Sequence, residues 1–497
     1  MSCHSQTSGF YVPNYVSSFE LALRGHDETD SSSNPGVFRG LINFSAELDN
    51  SLKTHLENST VFKGTSKTIQ NELLAVMLEV CREEISRQIK AANFLAVFAD
   101  ETSDVSNKFQ MVVIYRYIHN NKPVESFWDF IVPTGHDAPS LAKSITYELD
   151  RHLGACRRKL IAQTYDGASV MSCSLRGVQP LVKQTYPDVA YVHRYAHQLN
   201  LIMQNAKCRI SESQWEYSKK RRIEDNSKRR NQEAKEICDI IVQQAKSRFV
   251  IEGHLSAAML FLPDRFSEYS TDFPENHLQI AYTNYNVLDM KKFRTELTAI
   301  YEREELRKIT GALSMFDFIN ENNLNEAFSE SVKLLKALLT IPMTTSKAER
   351  SFSTLKRIKT FQRNTMTQER LSALAMLSVE RDLIMQIPDF NQRVIENLHP
   401  ARIGEWIFSS NSIRRPEFEC SGPQLEGPEF ECSGPQLEGP EFEYSELSLK
   451  PWMRSLAGRE FESFPALKDF REENEETLRE LDEINEEFVK HLDYMRV

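Results

Sequence analysis

Three acidic residues stand in local contexts suited to two-metal phosphoryl transfer. Asp100 follows the apolar run 94–99, whose composition predicts a buried strand that delivers a carboxylate at its end. Asp166 follows a second run of this kind, 160–165. Glu349 lies at the predicted start of a helix that Thr or Ser caps. Carboxylates so placed can hold two divalent cations about 4 Å apart, one at the attacking oxygen and one at the leaving oxygen.

The elements that must position these carboxylates follow from the hydrophobic periodicity. Apolar residues at helical spacing predict helices over 68–93 and 139–153. A turn is predicted at Asn120-Asn121. Alternating and continuous apolar runs predict four strands, at 94–99, 109–118, 126–132 and 159–165.

Four stretches of the chain carry a resemblance to a known family. They are FADETSD (98–104), YDGASVMS (165–172), VHRYAHQLNLI (192–202) and TTSKAERSFSTLKRIKTFQRNTMTQERLSALAML (344–377). These blocks resemble hAT-superfamily transposases, in particular the vertebrate zinc-finger MYM-type, hAT-derived proteins. The resemblance covers positions 20–205 and 325–385.

The resemblance implies a fold class and a site. The fold is α/β: a ribonuclease H-like core, a C-terminal helical hAT dimerisation region and, beyond the resemblance, a low-complexity acidic tail. By resemblance, Asp100, Asp166 and Glu349 align with the family's DDE triad and would bind Mg²⁺ or Mn²⁺ if the site is active. The predicted order of three strands, a helix, a strand and a helix supports this core, because it places the two aspartates on neighbouring strands.

Three departures from the family pattern bear on activity. Family members carry a zinc-binding DNA-recognition module before the first matched block, and none is evident here. A long helical insertion normally separates the second Asp from the Glu, whereas 183 residues separate Asp166 from Glu349. Arg194 stands where the family pattern has Cys. We therefore expect a domesticated or decayed transposase that dimerises without catalysis, with an active Mg-dependent DDE DNA transposase as the alternative.

These observations predict the domain organisation. The ribonuclease H-like fold should assemble from 94–205 and 326–385. Segments 205–240 and 411–450 are expected to be poorly ordered, because one is basic and polar and the other is a Pro/Gly-containing repeat. The predicted boundaries are a partly ordered segment 1–67, the N-terminal part of the core 68–205, a truncated insertion with a basic linker 206–325, the hAT C-terminal dimerisation region 326–385 and an acidic tail 386–497.

An apolar stripe at helical spacing runs through 326–385 and includes Leu374 and Leu377. Such a stripe more often packs within its own chain than against a partner. The resemblance implies contacts in a homodimer or in a heterodimer with another hAT-family chain. If the stripe is a dimer surface, the double substitution Leu374→Asp and Leu377→Asp should dissociate the assembly. If it is core, the same change unfolds the chain.

The net charge of −11 does not exclude nucleic acid, because of where the charge lies. Residues 416–497 hold 8 Lys or Arg and 22 Asp or Glu, so the first 415 residues carry a net charge of +3. DNA is therefore an allowed partner of the body. The basic runs 219–222 and 228–230 predict a nuclear-import signal or a phosphate-binding patch, with a solvated linker as the alternative.

Eight scattered cysteines with no CxxC pair are typical of reduced intracellular thiols. No run approaches the length of about 20 apolar residues that spans a bilayer, so we expect no membrane partner and a nuclear or otherwise cytoplasmic protein. His197 is more readily interpreted as a buried structural histidine than as a metal ligand.

The acidic tail contains two sequence features of its own. Residues 416–427 recur at 428–439, and so short and polar a repeat indicates a linker rather than a solenoid. Residues 472–489 carry Leu478, Leu481, Ile484 and Phe488 at helical spacing among acidic residues. This segment is predicted to form a short amphipathic helix, and the family resemblance does not extend to it.

Overall fold

The computed structural model describes residues 20–25, 27–29, 32–59, 63–165, 169–173, 176–192, 239, 243, 254–285, 287–309, 311–342 and 346–398. The chain divides into two compact units, one of residues 1–81 and 381–443, the other of residues 82–380 and 444–497. The three cysteines in the described part, Cys81, Cys156 and Cys173, take part in no disulfide.

The described part of the first unit is helical. It contains α1 (Val37–Leu48), α2 (Asn50–Asn58) and the first half of α3 (Lys67–Ala91). The Asp49 carboxylate caps α2 and accepts hydrogen bonds from the amides of Ser51 and Leu52 at 2.8 and 3.3 Å. The Arg24 guanidinium donates to the Lys67 carbonyl at 2.9 Å, which ties the segment before α1 to the start of α3.

The second unit is built on one five-stranded sheet of order β3-β2-β1-β4-β5. The first three strands are antiparallel, whereas β4 runs parallel to β1 and β5 parallel to β4. This mixed topology confirms the predicted ribonuclease H-like fold class. The elements are β1 (Leu95–Ser103), β2 (Phe109–His119), β3 (Lys122–Ile131), α4 (Ala138–Leu153), β4 (Leu160–Thr164), α5 (Ser169–Ser172), α6 (Val178–Thr185) and β5 (Ala190–Tyr191).

Strand boundaries differ from the prediction in the two hairpins. Asn120 and Asn121 form the predicted turn and both have positive φ, 49° and 60°, as a two-residue hairpin turn requires. This tight turn fixes the pairing of His119 with Lys122, so β3 begins earlier than the predicted position 126. Strand β1 continues past position 99 because β2 pairs with it as far as Ser103.

One face of the sheet packs on α4 and on the second half of α3, residues 82–91. Side chains alternate along a strand, so Tyr115 and Tyr117 of β2 share this face with the β1 residues that they oppose. The Tyr117 hydroxyl donates to Gln88 of α3 at 3.0 Å. The Trp128 indole donates to Glu148 of α4 at 2.7 Å. These buried polar contacts fix both helices against the sheet.

The opposite face packs on helices from the second half of the chain. Their buried apolar side chains form one core with Phe94, Ala96 and Ala162 of the sheet region. The Arg116 guanidinium reaches across and donates to the Leu339 carbonyl at 3.0 Å. The helices are α7 (His254–Ala258), α8 (Phe266–Tyr269), α9 (Glu275–Asn284), α10 (Met290–Glu302), α11 (Ala312–Glu321) and α12 (Ser329–Thr340). The part of 206–325 that follows residue 253 is therefore helical and contributes to the core.

Two further helices complete the second unit, α13 (Ser346–Ile358) and α14 (Gln368–Val379). Helix α14 lies along β3, which is an edge strand of the sheet. The Gln368 side-chain amide donates to the Phe130 carbonyl at 2.6 Å, and the Glu380 carboxylate accepts from the Phe127 amide at 2.6 Å. Backbone groups of the edge strand are thus paired by side chains at both ends of α14.

The first unit also contains α15 (Arg381–Gln386) and α16 (Phe390–Asn397). Among the residues that the structure describes, no helix combines the length and the apolar character needed to cross a membrane.

Candidate active site

Asp100 lies within β1, three residues before the strand ends at Ser103. It is half-buried and pairs with Val112 of β2. Its Oδ1 atom accepts a hydrogen bond from the Glu101 amide at 2.9 Å. Asp100 follows Ala96 and Phe98 at intervals of two residues, and residues at this spacing in a strand share one face. Its side chain therefore lies on the sheet face that carries Ala96 and packs on the helices from the second half of the chain.

A row of residues crosses the sheet from Asp100 to α13. Val112 opposes Asp100 on one side and Phe130 of β3 on the other. The Phe130 ring stacks on Phe352 of α13, with ring centroids 6.3 Å apart and planes 23° apart. Directly opposed residues of neighbouring strands share a face. The row therefore places Asp100 on the face that α13 covers.

Glu349 lies in the first turn of α13, one helical turn before Phe352. It is exposed, and α13 packs against β1, β2 and β3. The sequence analysis predicted a helix start here with Thr or Ser caps; residues 343–345 are outside the described part, so the cap stays a prediction. The helix that carries Glu349 and the strand that carries Asp100 thus meet on one face of the sheet.

The third member of the predicted triad, Asp166, falls outside the described residues. The neighbouring register is defined: Phe98 of β1 pairs with Thr164 of β4. Asp100 follows Phe98 by two residues, and Asp166 follows Thr164 by two. The Thr164 hydroxyl is buried, and no described residue forms a hydrogen bond with it. The position of the Asp166 carboxylate stays a prediction.

A metal ion requires several donor side chains close to one another, so the predicted site can be compared with the donor groups that the structure brings together. Among the described residues, no group of three or more His, Cys, Asp or Glu side chains is positioned to hold a metal ion. Two carboxylates of the predicted set, those of Asp100 and Glu349, lie on elements that meet on one sheet face. Assignment of all three acids as metal ligands stays a prediction.

A buried ion pair joins the end of β1 to the end of α13. The Lys359 ammonium donates to the Asp104 carboxylate at 2.5 Å, and the two side chains are 2% and 0% exposed. Asp104 also accepts from the Gln110 amide at 3.1 Å and from the backbone amides of Ser106 and Lys108 at 2.7 and 3.1 Å. Burial alone raises the pKa of Asp104, but these hydrogen bonds outweigh it and lower the pKa below its usual value.

The same network extends to α14. The side-chain amides of Gln110 and Gln368 exchange hydrogen bonds at 3.1 and 3.3 Å. The Ser106 hydroxyl donates to the Asn364 carbonyl at 3.3 Å. The β1–β2 hairpin is therefore bonded to α13, to α14 and to the loop between them. These contacts position α13, and with it Glu349, relative to Asp100.

Sequence reasoning did not find Asp104, Lys359, Gln368 or Glu380 as positioning residues. Asp104 lies inside the motif FADETSD, but its partner Lys359 is 255 positions away. No spacing rule connects residues so far apart in sequence. Each of these residues has polar neighbours in the sequence, so neither its type nor its spacing indicated that it is buried or partly buried.

The apolar stripe of α14 is buried within the chain itself. Leu374 is 2% exposed, and Leu377 is fully buried. Helix α14 packs against β3 and α13. The interpretation of these two leucines as a dimer surface was therefore wrong. These leucines are buried because α14 lies along the edge of the sheet and packs its apolar side against β3.

Other predicted features lie outside the described residues. These include His197 and Arg194, the basic runs 219–222 and 228–230, and the tail from residue 399. The segments 205–240 and 411–450, for which disorder is predicted, also lie there, apart from residue 239. The predictions made for these residues stay predictions.

The fold and the predicted site define a class of protein: an α/β protein with a ribonuclease H-like sheet whose edge is covered by C-terminal helices. Residues 7–177 match a family described as the ZMYM1/FAM200 RNase-like domain. Residues 315–383 match the hAT family C-terminal dimerisation region. The chain therefore contains an RNase-like region and a region that matches the hAT dimerisation region, and the resemblance is confirmed in these two regions.

Two curated proteins are similar to part of the chain. Both are named the 52 kDa repressor of the inhibitor of the protein kinase. The human protein is 23% identical over 126 residues, which are 25% of this chain. The mouse protein is 27% identical over 133 residues, again 25% of this chain. The matched segment spans 17% of the length of each relative.

Proposed function

We propose that this protein is a domesticated hAT transposase that self-associates in the nucleus and no longer cleaves DNA. The observation that carries the proposal is the match of 315–383 to the hAT dimerisation region, a region that includes α12, α13 and α14. Dimerisation is the property for which that family is named. The relatives named as repressors support a regulatory role rather than transposition.

Burial within the chain limits where self-association can occur. The leucines of α14 are buried, and this helix packs against β3 and α13. The dimer contact therefore has to use residues of 315–383 that stay accessible to solvent. A stable homodimer interface of this kind buries upwards of about 2,000 Å². Such an area requires contributions from more than one helix of the region.

Loss of catalysis is supported by the sequence. Arg194 replaces a Cys of the family pattern in a segment that follows the predicted second aspartate, and a bulky cation there disfavours the family's packing. The interval of 183 residues between Asp166 and Glu349 is short for a family with a long helical insertion at this place. Nuclear location is supported by the basic runs 219–222 and 228–230.

Sedimentation velocity of the full chain at micromolar concentration tests self-association. We expect a dimer whose share of the protein grows with concentration. A folded chain that sediments as a monomer throughout this range contradicts the proposal. Fluorescence imaging of the tagged chain, with alanines in both basic runs as the comparison, tests the nuclear location: the substituted chain is expected to spread into the cytoplasm.

An active Mg²⁺-dependent DNA transferase is the second candidate. The observation that favours it is the position of Asp100 on the sheet face that α13 covers. In that case Asp100, Asp166 and Glu349 would hold the cations, which would activate the attacking water or hydroxyl and stabilise the leaving oxygen. Cleavage of a terminal-inverted-repeat duplex with Mn²⁺ separates the two candidates. Activity that the Asp100→Asn variant loses would establish the transferase, whereas equal inactivity of both proteins supports the first proposal.

A further inference from the structure

The turn after α13 exposes an aromatic ring. Phe361 is 81% exposed, the highest value for any large apolar side chain among the described residues. It lies in a short 3₁₀ turn, Phe361–Arg363, between α13 and α14. Burying a phenylalanine ring is worth about 1.5–3 kcal/mol, so a segment that covers this ring gains that contribution to its binding free energy.

Exposed cations precede this ring along the chain. Arg350, Lys356 and Arg357 are exposed and lie on the solvent side of α13 at spacings of one and two helical turns. Ser353 lies between them on the same side. Glu349 is the acidic residue of that side. We name the group Arg350, Ser353, Lys356, Arg357 and Phe361 the Phe361 surface. Its net charge is +3, or +2 when Glu349 of the same side is included.

The tail contains a segment with the complementary character. Residues 472–489 hold nine Asp or Glu and one Arg, a net charge of −8. Leu478, Leu481, Ile484 and Phe488 recur at helical spacing and form an apolar stripe between the acidic residues. A helix of this composition presents carboxylates on both sides of an apolar seam. The Phe361 surface combines three exposed cations with one exposed apolar ring.

We propose that residues 472–489 bind the Phe361 surface of the same chain. The apolar stripe covers Phe361, and the flanking carboxylates pair with Lys356, Arg357 and Arg350. Each exposed pair contributes little by itself, so the contact depends on several pairs together with burial of the ring. The proposal does not depend on whether the chain forms dimers.

The chain is long enough to allow this contact. Residues 399–471 separate the last described residue from the acidic segment, and a random coil of that many residues spans about 45 Å on root-mean-square average. A ligand tethered in this way acts at an effective concentration in the millimolar range. A contact that is weak between separate molecules is therefore largely formed within one chain.

Zero-length carbodiimide crosslinking of the full chain tests the proposal. This reagent joins a lysine to a carboxylate only when they are in direct contact. We expect Lys356 to be joined to acidic residues of 472–489 about five-fold more often than Lys143, an exposed lysine of α4 that serves as the control. The joined species is expected to migrate at the mass of a single chain. Equal yields at the two lysines overturn the proposal, and joining found only at twice the chain mass assigns the surface to a second copy.

A variant pair tests the role of the ring. Phe361→Ala is expected to reduce the Lys356 crosslink several-fold while the chain stays folded, because the ring is exposed. Tyr147→Ala is the matched control, since Tyr147 is an aromatic residue of α4 that is 65% exposed. This control is expected to leave the crosslink unchanged. A Phe361→Ala protein that crosslinks like the wild type overturns the proposal.

Discussion

Lys359 and Asp104 form an ion pair between residues 255 positions apart, with Nζ and Oδ2 separated by 2.5 Å and both side chains almost completely buried. One partner follows the strand that carries Asp100, and the other follows the helix that carries Glu349. The pair therefore connects the two elements on which the described part of the predicted triad resides.

Removing one member of this pair is expected to be costly. Lys359→Met leaves the Asp104 carboxylate buried without its cation, and Asp104→Asn leaves the ammonium without its anion. Each change should lower the free energy of unfolding by about 3–5 kcal/mol, as measured by urea denaturation. The double variant should lose less than the sum of the single losses, because it leaves no unpaired buried charge. Additive losses would show that the two groups do not interact.

Leu374→Ala is expected to lower the free energy of unfolding by about 2–5 kcal/mol, because it opens a cavity between α14 and β3. Thermal unfolding followed by circular dichroism measures the loss. Phe361→Ala, in the same C-terminal region but exposed, should change the stability by less than about 0.5 kcal/mol. A Leu374→Ala protein that keeps wild-type stability yet loses its dimer would restore the interpretation of α14 as a partner surface.

Glu380 is expected to protect the edge strand. Its carboxylate accepts from the Phe127 amide at 2.6 Å and pairs with the Lys347 ammonium at 2.8 Å. Glu380→Ala should destabilise the protein by about 1–3 kcal/mol and speed hydrogen exchange at the Phe127 amide. Glu369→Ala, an exposed acid on α14, is the control and should leave that amide protected. Unchanged exchange in the Glu380 variant would mean that the carboxylate does not protect the strand.

His152 is expected to make the stability fall at mildly acidic pH. Burial against Trp128 and Tyr115, followed by repulsion from nearby cations of which Arg151 is the strongest, lowers its pKa to about 4. The unfolded chain, whose histidine pKa is about 6.5, then binds a proton that the folded chain does not. The contribution of His152 to the free energy of unfolding is therefore fully present above a pH of about 6.5, and it is lost as the pH drops from about 6.5 towards 4.

Urea denaturation at pH 7.5 and pH 5 measures this dependence. The wild-type protein should lose about 1 kcal/mol more than His152→Gln across that interval, after allowance for partial solvent screening. Equal losses in the two proteins would assign the pH dependence to other groups.

The sheet was predictable from sequence because its signals are local. Apolar runs marked the strands, and Asn120-Asn121 marked the hairpin turn, so the order of elements and the fold class followed. The extension of β1 to Ser103 was not predictable from its own residues, since Asp100 to Ser103 are polar and are held by pairing with β2. The ion pair of Asp104 with Lys359 was also hidden, because no local pattern reports a partner from another part of the chain.

The helices of 254–321 were missed for a different reason. Their apolar residues occur at helical spacing, but the basic run before them indicated a linker. Their burial depends on the sheet face that carries Ala96 and Ala162, which is a tertiary contact. The candidate site was predictable as positions in a motif. The geometry of the site was not predictable, because the position of Asp100 relative to α13 depends on tertiary contacts. These contacts run across the sheet through Val112 and Phe130.

The pairing of the β3 edge by Gln368 and Glu380 has a consequence for synthesis. The ribosome completes the last strand of the described sheet at Tyr191, and 189 residues later it adds Glu380. At ribosomal speeds of about 5–20 residues per second, this interval lasts roughly 10–40 seconds. During that time a nascent sheet presents the unpaired groups of Phe127 and Phe130 to other nascent chains. Retention by chaperones until α14 emerges is therefore expected, and a messenger truncated before codon 368 should yield an aggregating product.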